Sequence, residues 1–311
     1  MTSLELKQKF IEYFKSKDHM RIANASLIPD NDPSALFINS GMHPIVPFLM
    51  GQPHPFGKRL VNYQRAVRTG DIEEVDITKR HQTFFEMLGE WSLGDYWKKE
   101  SLEWSFEFIT QELGLDPKRL HATVFKGNDA IGGDDEAIEI WKDIFAKVGI
   151  EPTVGDEFYA TGESPRIIKL DENDNFWPKG RTVGPCGPCS EIYYDTGKGE
   201  DADSRYLEVC NNVFMSFNQS EDGSYTELSQ KNIDVGWGFE RLLCVVQGRD
   251  ENGDIPEVYS NFETDLFVNE RDWLIDNYQL QITNYEQDPA VRKAIRIILD
   301  HIRASVMIIG D

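Results

Sequence analysis

The sequence predicts an α+β fold that ends in a helical extension. Three observations carry that expectation. Two strand-like runs, residues 59–69 and 81–88, are joined by a polar loop. The run IDVGWGFERLLCVVQ reads as strand, glycine turn and helix. Apolar residues recur with helical spacing in several other stretches, and alternation against a 3.6-residue repeat separates strands from helices. With 311 residues, about 150 per domain gives roughly two domains. Hydrophobic residues make up 40% and aromatics 12%, a core large enough to exclude wholesale disorder.

In chain order, Leu4, Leu6, Phe10, Ile11 and Phe14 fall on one face of an opening amphipathic helix. Ser26 to Asp32 is loop-like, Pro33 punctuates it, and Ala35 to Asn39 reads as a short strand ending at Ser40-Gly41. RLVNYQRAVRT and HQTFFEML form a hairpin across the charged loop TGDIEEVDITK. Residues 99–113 and 135–148 read as helices, with HATVF (121–125) a strand between them. Short strands follow at 166–170 and 191–195, then a longer one at 206–217. Past Gly248, DENGDIPE reads as a linker, and the rest looks helical. Val291, Ile295, Ile298, Leu299, Ile302, Val306 and Ile309 mark an apolar stripe there, with Arg292, Lys293, Arg296 and Arg303 around it. The expected division is a mixed domain over 1–248 and the start of a helical domain over 249–311. A chain stopping just after such a stripe is expected to be a fragment, although Gly310 would serve equally as a helix cap.

Charge narrows the function. Thirty-two Lys and Arg against 54 Asp and Glu leave a net charge of -22, which argues against a general nucleic-acid coat and leaves room for a local basic patch. No run of about 18 apolar residues predicts a membrane span. The opening residues scatter charge where a signal peptide would be uninterrupted. Four cysteines are too few for a disulfide scaffold. A reducing, cytoplasmic setting is the simplest expectation.

Three segments carry chemistry. By strand alternation Arg68 shares a face with Asn62, Gln64 and Ala66. From there its guanidinium forks onto a phosphate or carboxylate, or is simply solvated. Across the hairpin, Arg80, His81, Phe84 and Phe85 combine base-stacking and phosphate-binding types, and alternation allows only one Phe to face a ligand. In DVGWGFER, two glycines permit close backbone approach and Arg241 sits in the first helical turn, where a phosphate would bind. Cys186-Gly-Pro-Cys189 has metal-knuckle or redox spacing, but no second CxxC exists, and a rigid turn explains it better.

Together the stretches SLIPDNDPSALFINSGM, QRAVRTG, RHQTFFEMLGEWSLGDY, DNFWPKGRTVGPCGPCSEIYYD, EVCNNVFMSFNQ and DVGWGFERLL resemble the catalytic region of alanyl-tRNA synthetases, a class II aminoacyl-tRNA synthetase family, over nearly the whole chain. The resemblance implies the class II antiparallel sheet flanked by helices. It makes Arg68 the motif 2 arginine on the ATP α-phosphate and Arg80 the loop residue that reaches the terminal phosphates. Phe85, or else Phe84, becomes the ring on adenine, and Arg241 the motif 3 arginine. Trp177, Asn211, Val213 and Asp234 fall where the family lines its alanine pocket, Asp234 matching the acid that receives the substrate ammonium. Gly236 and Gly238 would keep the nucleotide side open, and Glu208 would be a Mg²⁺ ligand.

The implied cofactors are ATP and Mg²⁺, with no zinc in this chain; the implied partners are L-alanine and the acceptor stem of tRNA(Ala), with no membrane. Three departures stand out. The loop between Arg68 and Arg80 is shorter than the family's bacterial loop; Cys210 and Asn212 flank Asn211 where larger apolar residues are usual; Trp237 and Phe239 make the glycine segment unusually aromatic.

The implied reaction is in-line attack of the alanine carboxylate on the ATP α-phosphorus, followed by transfer to a tRNA ribose hydroxyl. It needs positioning and charge neutralisation more than proton transfer. A methyl-sized pocket discriminates poorly against glycine and serine. The resemblance implies an editing domain with HxxxH and CxxxH zinc motifs, and neither spacing occurs among the six histidines. The chain is therefore expected to misactivate serine or glycine without clearing the product. The basic helical face around Arg292 to Arg303 would begin the tRNA surface or be merely solvated. Two other readings remain open: a synthetase-like paralogue that hands its adenylate to another acceptor, and a metal or redox module on Cys186 and Cys189.

Overall fold

A computed structural model describes residues 1–29, 35–78, 80–178, 183–256, 259–277, 285 and 287–311. Its strands are β1 Met20–Arg21, β2 Arg59–Val67, β3 Phe84–Leu93, β4 Leu120–Phe125, β5 Val154–Gly155, β6 Ile167–Leu170, β7 Phe176–Trp177, β8 Gly184–Asp195, β9 Tyr206–Gln219 and β10 Tyr225–Gly238. The longer helices are α1 Ser3–Ser16, α2 Lys98–Glu107, α3 Asp135–Lys147, α4 Phe239–Gly248, α5 Val268–Asn277 and α6 Pro289–Ile309. The strands join in the order β1-β2-β3-β10-β9-β8-β4-β6-β5, with β7 paired to β8. From β2 to β4 every pairing is antiparallel, as expected; the sheet becomes parallel only at its edges, in β1/β2 and β4/β6/β5.

Helices cover one face of this sheet. Thr2 opens α1 with a capping box, accepting from the Glu5 amide while the Glu5 carboxylate takes the Thr2 N–H. Leu6, Phe10, Ile11 and Phe14 are buried as expected, whereas Leu4 is exposed. They pack with Leu102, Phe106, Phe108, Trp141 and Phe145 against Leu88, Phe214, Val235 and Trp237 of the sheet. At about 25 cal/mol per Å² of apolar surface, that aromatic layer fixes the strand register, because a one-residue slip would turn it outward.

Several expectations give way. Ala35 to Asn39 is not a strand, though Ile38 bonds on both sides, donating to Leu27 O at 2.7 Å and accepting from Val67 N at 2.9 Å. Residues 30–34, including Pro33, lie outside the described residues. The glycine turn is no turn: β10 runs through Gly236 to Gly238, and α4 begins at Phe239. Cys186-Gly-Pro-Cys189 is not a turn either. It lies inside β8, where the register with β9 shifts between the two cysteines. Glycine is required there, since a Cβ on Gly187 would sit 2.0 Å from the Phe214 carbonyl oxygen. Residues 250–256 of the expected linker are tied down: Tyr194 donates to Gly253 O at 2.7 Å and Arg119 pairs with Asp254 at 2.7 Å.

The apolar stripe on α6 is also misplaced. Its buried residues are Ile295, Arg296, Leu299, Asp300 and Ala304, while Ile298, Ile302, Val306 and Ile309 are exposed. Charges, which a hydrophobic repeat does not count, set this rotation. Arg296 pairs with Asp76 at 2.6 Å and Glu263 at 2.8 Å, and Arg303 pairs with Glu240 at 2.7 Å. The expected basic face thus loses Arg296 and Arg303 to the interior. Among the described residues, no helix is long and apolar enough to cross a membrane.

Candidate active site

The uncovered face of β3, β10, β9 and β8 floors an open cleft of about 330 Å³. Its layout follows from register. One row across the strands is Trp91, Asp234, Val213 and Cys189; the next is Gly89, Gly236, Asn211 and Glu191. Alternation sends the intervening residues to the helical face, where Asn212 accepts from Ser101 at 3.0 Å and Ser105 at 2.8 Å. The unusual neighbours of Asn211 therefore serve the core. So does Trp237, whose indole donates to Glu90 at 2.9 Å behind the sheet.

At one end of the cleft the floor is acidic and narrow. Trp91 Nε1 donates to Asp234 Oδ1 at 2.6 Å. Burial pushes the Asp234 carboxyl up to about 7, and the indole bond pulls the other way. Gly89 makes room for that indole, because a Cβ there would lie 2.4 Å from the Trp91 ring. Asn211 donates to Glu191 Oε1 at 3.1 Å, and Tyr193 donates to Glu191 Oε2 at 2.7 Å. This arrangement aims Asn211 Oδ1, which is buried and accepts no hydrogen bond from the described residues. Trp177 and Val213 line the same cleft, and a side chain on Gly236 would meet Met87 Sδ at 2.8 Å. A small group bearing a cation suits this end.

The other end is cationic. Arg68 leaves the end of β2 and donates from Nε to Asn39 O at 3.1 Å, its guanidinium 4.8 Å from the Phe85 ring centroid. Arg241, in the first turn of α4, donates from Nη1 to Glu208 at 2.9 Å and from Nε to Arg80 O at 3.3 Å. Burial first, and the Arg241 charge second, pull the Arg68 guanidinium below its usual value. Crowded like charges of this kind are relieved by an anion. Burial, ahead of the neighbouring charges, pulls the His81 imidazole below its usual value at this wall.

The residues that the resemblance assigns to ATP, alanine and Mg²⁺ line this one cleft: Arg68, Arg80, Phe85, Gly236, Gly238 and Arg241, Trp177, Asn211, Val213 and Asp234, and Glu208; Phe84, Cys186, Cys189 and the basic residues from Arg292 to Arg303 do not. Of the two rings, Phe85 faces the cleft and Phe84 packs with Leu27 and Val67. Sequence reasoning missed Glu191, Gln82 and Asn261, and noted Glu240 beside Arg241 without giving it a role. Glu191 was within reach, sharing the face of Cys189 by alternation. Asn261 was not, because it returns from beyond the expected boundary at 248. Cys186 and Cys189 fall in separate apolar clusters, and burial pushes the Cys186 thiol up to about 11, away from the thiolate that metal binding or redox attack needs. Among the described residues, no three His, Cys, Asp or Glu side chains gather as a metal site. The cleft carboxylates Glu191 and Glu208 are oxygen donors of the type Mg²⁺ takes alongside phosphates.

Residues 5–311 match the family model for tRNA synthetases class II (A). An alanine–tRNA ligase of Treponema denticola is 42% identical, aligning with 99% of this chain and 48% of that protein. One from Natranaerobius thermophilus is 43% identical over 100% of this chain and 33% of its own length. One from Acetivibrio thermocellus is 41% identical, with 99% and 32% covered. The chain thus spans between a third and a half of the curated relatives it matches.

Proposed function

The chain belongs to the class II tRNA synthetases, and from that premise we propose that it activates L-alanine with ATP to alanyl-adenylate. One observation carries this reading. A single cleft holds a buried acid beside a small apolar pocket at one end, and three arginines beside a cleft-facing aromatic ring at the other.

Asp234 and Asn211 Oδ1 receive the alanine ammonium, while Trp177 and Val213 wall the methyl group. Phe85 stacks on adenine, which approaches over Gly236 and Gly238 without a side chain in the way. Arg68 neutralises the α-phosphate; Arg80 and Arg241 take the terminal phosphates. The alanine carboxylate then forms a C–O–P bond in line as the bond to pyrophosphate breaks. Catalysis rests on proximity and charge neutralisation, and no side chain has to move a proton. Glu208 and Glu191 would hold Mg²⁺ against the phosphates, adding positive charge where the leaving group develops negative charge.

Transfer to the 3′ end of tRNA(Ala) follows in this reading, in the cytoplasm where tRNA is charged. Residues 249–311 begin the tRNA-facing region there. With Arg296 and Arg303 turned inward, little of the basic helical face remains for an acceptor stem, so this chain alone charges tRNA weakly. The test is pyrophosphate release from ATP with each amino acid in turn. Alanine should lead, with serine and glycine detectable behind it; release led by any other amino acid refutes the assignment.

A further inference from the structure

We propose that α6 is a positioning element for the nucleotide half of the cleft, acting through Arg296, Asp300 and Arg303 and leaving the amino-acid half untouched. The proposal rests on the assignment of ATP and alanine to the two ends of the cleft.

The three residues recur at one- to two-turn spacing on the buried face of α6. Each grips a different segment of the cationic end. Arg296 holds Asp76, in the segment between Arg68 and Arg80, and also Glu263, two residues past the cleft-lining Asn261. Asp300 Oδ1 accepts from the Thr83 amide at 3.0 Å, and the Thr83 carbonyl accepts from the Arg68 amide at 2.9 Å. Arg303 pairs with Glu240 at 2.7 Å, whose carboxylate accepts from the Glu86 amide at 3.1 Å. Glu86 follows Phe85, and Glu240 precedes Arg241. Thus the phosphate arginines Arg68 and Arg241 and the stacking ring each lie one residue from a group bound by α6, or one hydrogen bond from it.

The acidic end is tied differently. Asp234 is held by Trp91 and Asn211 by Glu191, all within the sheet. Energetics favour a positioning role over a merely adhesive one. Arg296 is 6% exposed and Asp300 2%, and charges buried so deeply gain little net stability from pairing. What they do enforce is one geometry, because any displacement leaves a buried charge without its partner. The Arg303 guanidinium is further fixed 4.9 Å from the Phe84 centroid and 5.2 Å from that of Phe267.

The test compares the wild type with Arg303→Met, Arg303→Lys and Asp300→Ala, each checked by thermal melting. ATP affinity is read by titration calorimetry, and KM for ATP and for alanine by pyrophosphate exchange. Arg303→Met and Asp300→Ala should each weaken ATP about tenfold while alanine KM stays within about twofold. Arg303→Lys should restore most of the loss. If Arg303→Met does not fold, the other two variants carry the test. Unchanged ATP affinity in all of them, or losses shared equally by ATP and alanine, overturns the positioning role. A wild type that binds ATP yet needs no alanine for exchange sinks the substrate assignment, while the ATP titration still decides on α6. A wild type that binds no ATP overturns both.

Discussion

Trp91→Phe is the most informative single change, because it removes one hydrogen bond and leaves an aromatic ring in place. The lost bond, 2.6 Å from the indole to Asp234 Oδ1, helps to hold the buried carboxylate ionised. A hydrogen bond to a charged group is worth about 1.5–3 kcal/mol, and one pKa unit is about 1.36 kcal/mol. The variant's Asp234 should therefore titrate about one to two units above the wild-type value of about 7. At pH 7.5 its ionised fraction would fall from about three quarters to between about a quarter and a thirtieth. Alanine KM should rise about three- to 25-fold from ionisation alone. The assay is alanine KM by pyrophosphate exchange at saturating ATP, from pH 6 to 9. Since the ammonium binds the ionised acid, KM falls as pH rises and levels off above the carboxyl's own pKa. The two curves should converge at high pH. Parallel curves, displaced equally at every pH, would refute the electrostatic reasoning and leave only a packing defect.

The Asp234 carboxyl is raised from 3.8 in the unfolded chain to about 7 in the fold, so its contribution to stability is complete below the lower value and declines through the higher one. Between them the loss is about 4 kcal/mol; Asp234→Asn should melt higher than wild type at pH 8 but not at pH 4, and a lower melting point at pH 8 would contradict this. Phe85→Ala should raise ATP KM by roughly five- to 150-fold, since a stacked base is worth about 1–3 kcal/mol, with alanine KM unmoved; an unchanged ATP KM removes the ring from the adenine site. Gly187→Ala would drive its Cβ to 2.0 Å from Phe214 O, prising β8 from β9 at a cost of about 2–5 kcal/mol. Its melting point should drop by about 5–15 °C, and a drop under about 2 °C would show that the strands can yield.

Periodicity made the central sheet legible. Its strands are buried on one face and line the cleft on the other, so alternation allowed only one of Phe84 and Phe85 to face it, and the preference for Phe85 came from the family resemblance. Alternation would also have separated Asn211 from its core-facing neighbours Cys210 and Asn212. What was illegible has three physical causes. Glycine usually punctuates turns, but in β8 and β10 it marks places where another chain segment or side chain comes too close for a Cβ, so both segments read as turns. In α6, buried ion pairs outweigh an apolar stripe, and a hydrophobic repeat cannot register that. Asn261 reaches the cleft through a tertiary contact from a segment far away in sequence, and no local pattern announces such a contact.

In the proposed function, one cleft takes alanine at Asp234 and ATP at Arg68. Alanine-dependent ATP–pyrophosphate exchange, run on the wild type, Asp234→Ala and Arg68→Ala, tests it most directly. Exchange should require alanine and collapse in both variants, with Asp234→Ala still binding ATP. Absence of exchange with any amino acid, from folded wild-type protein that binds ATP, would contradict it.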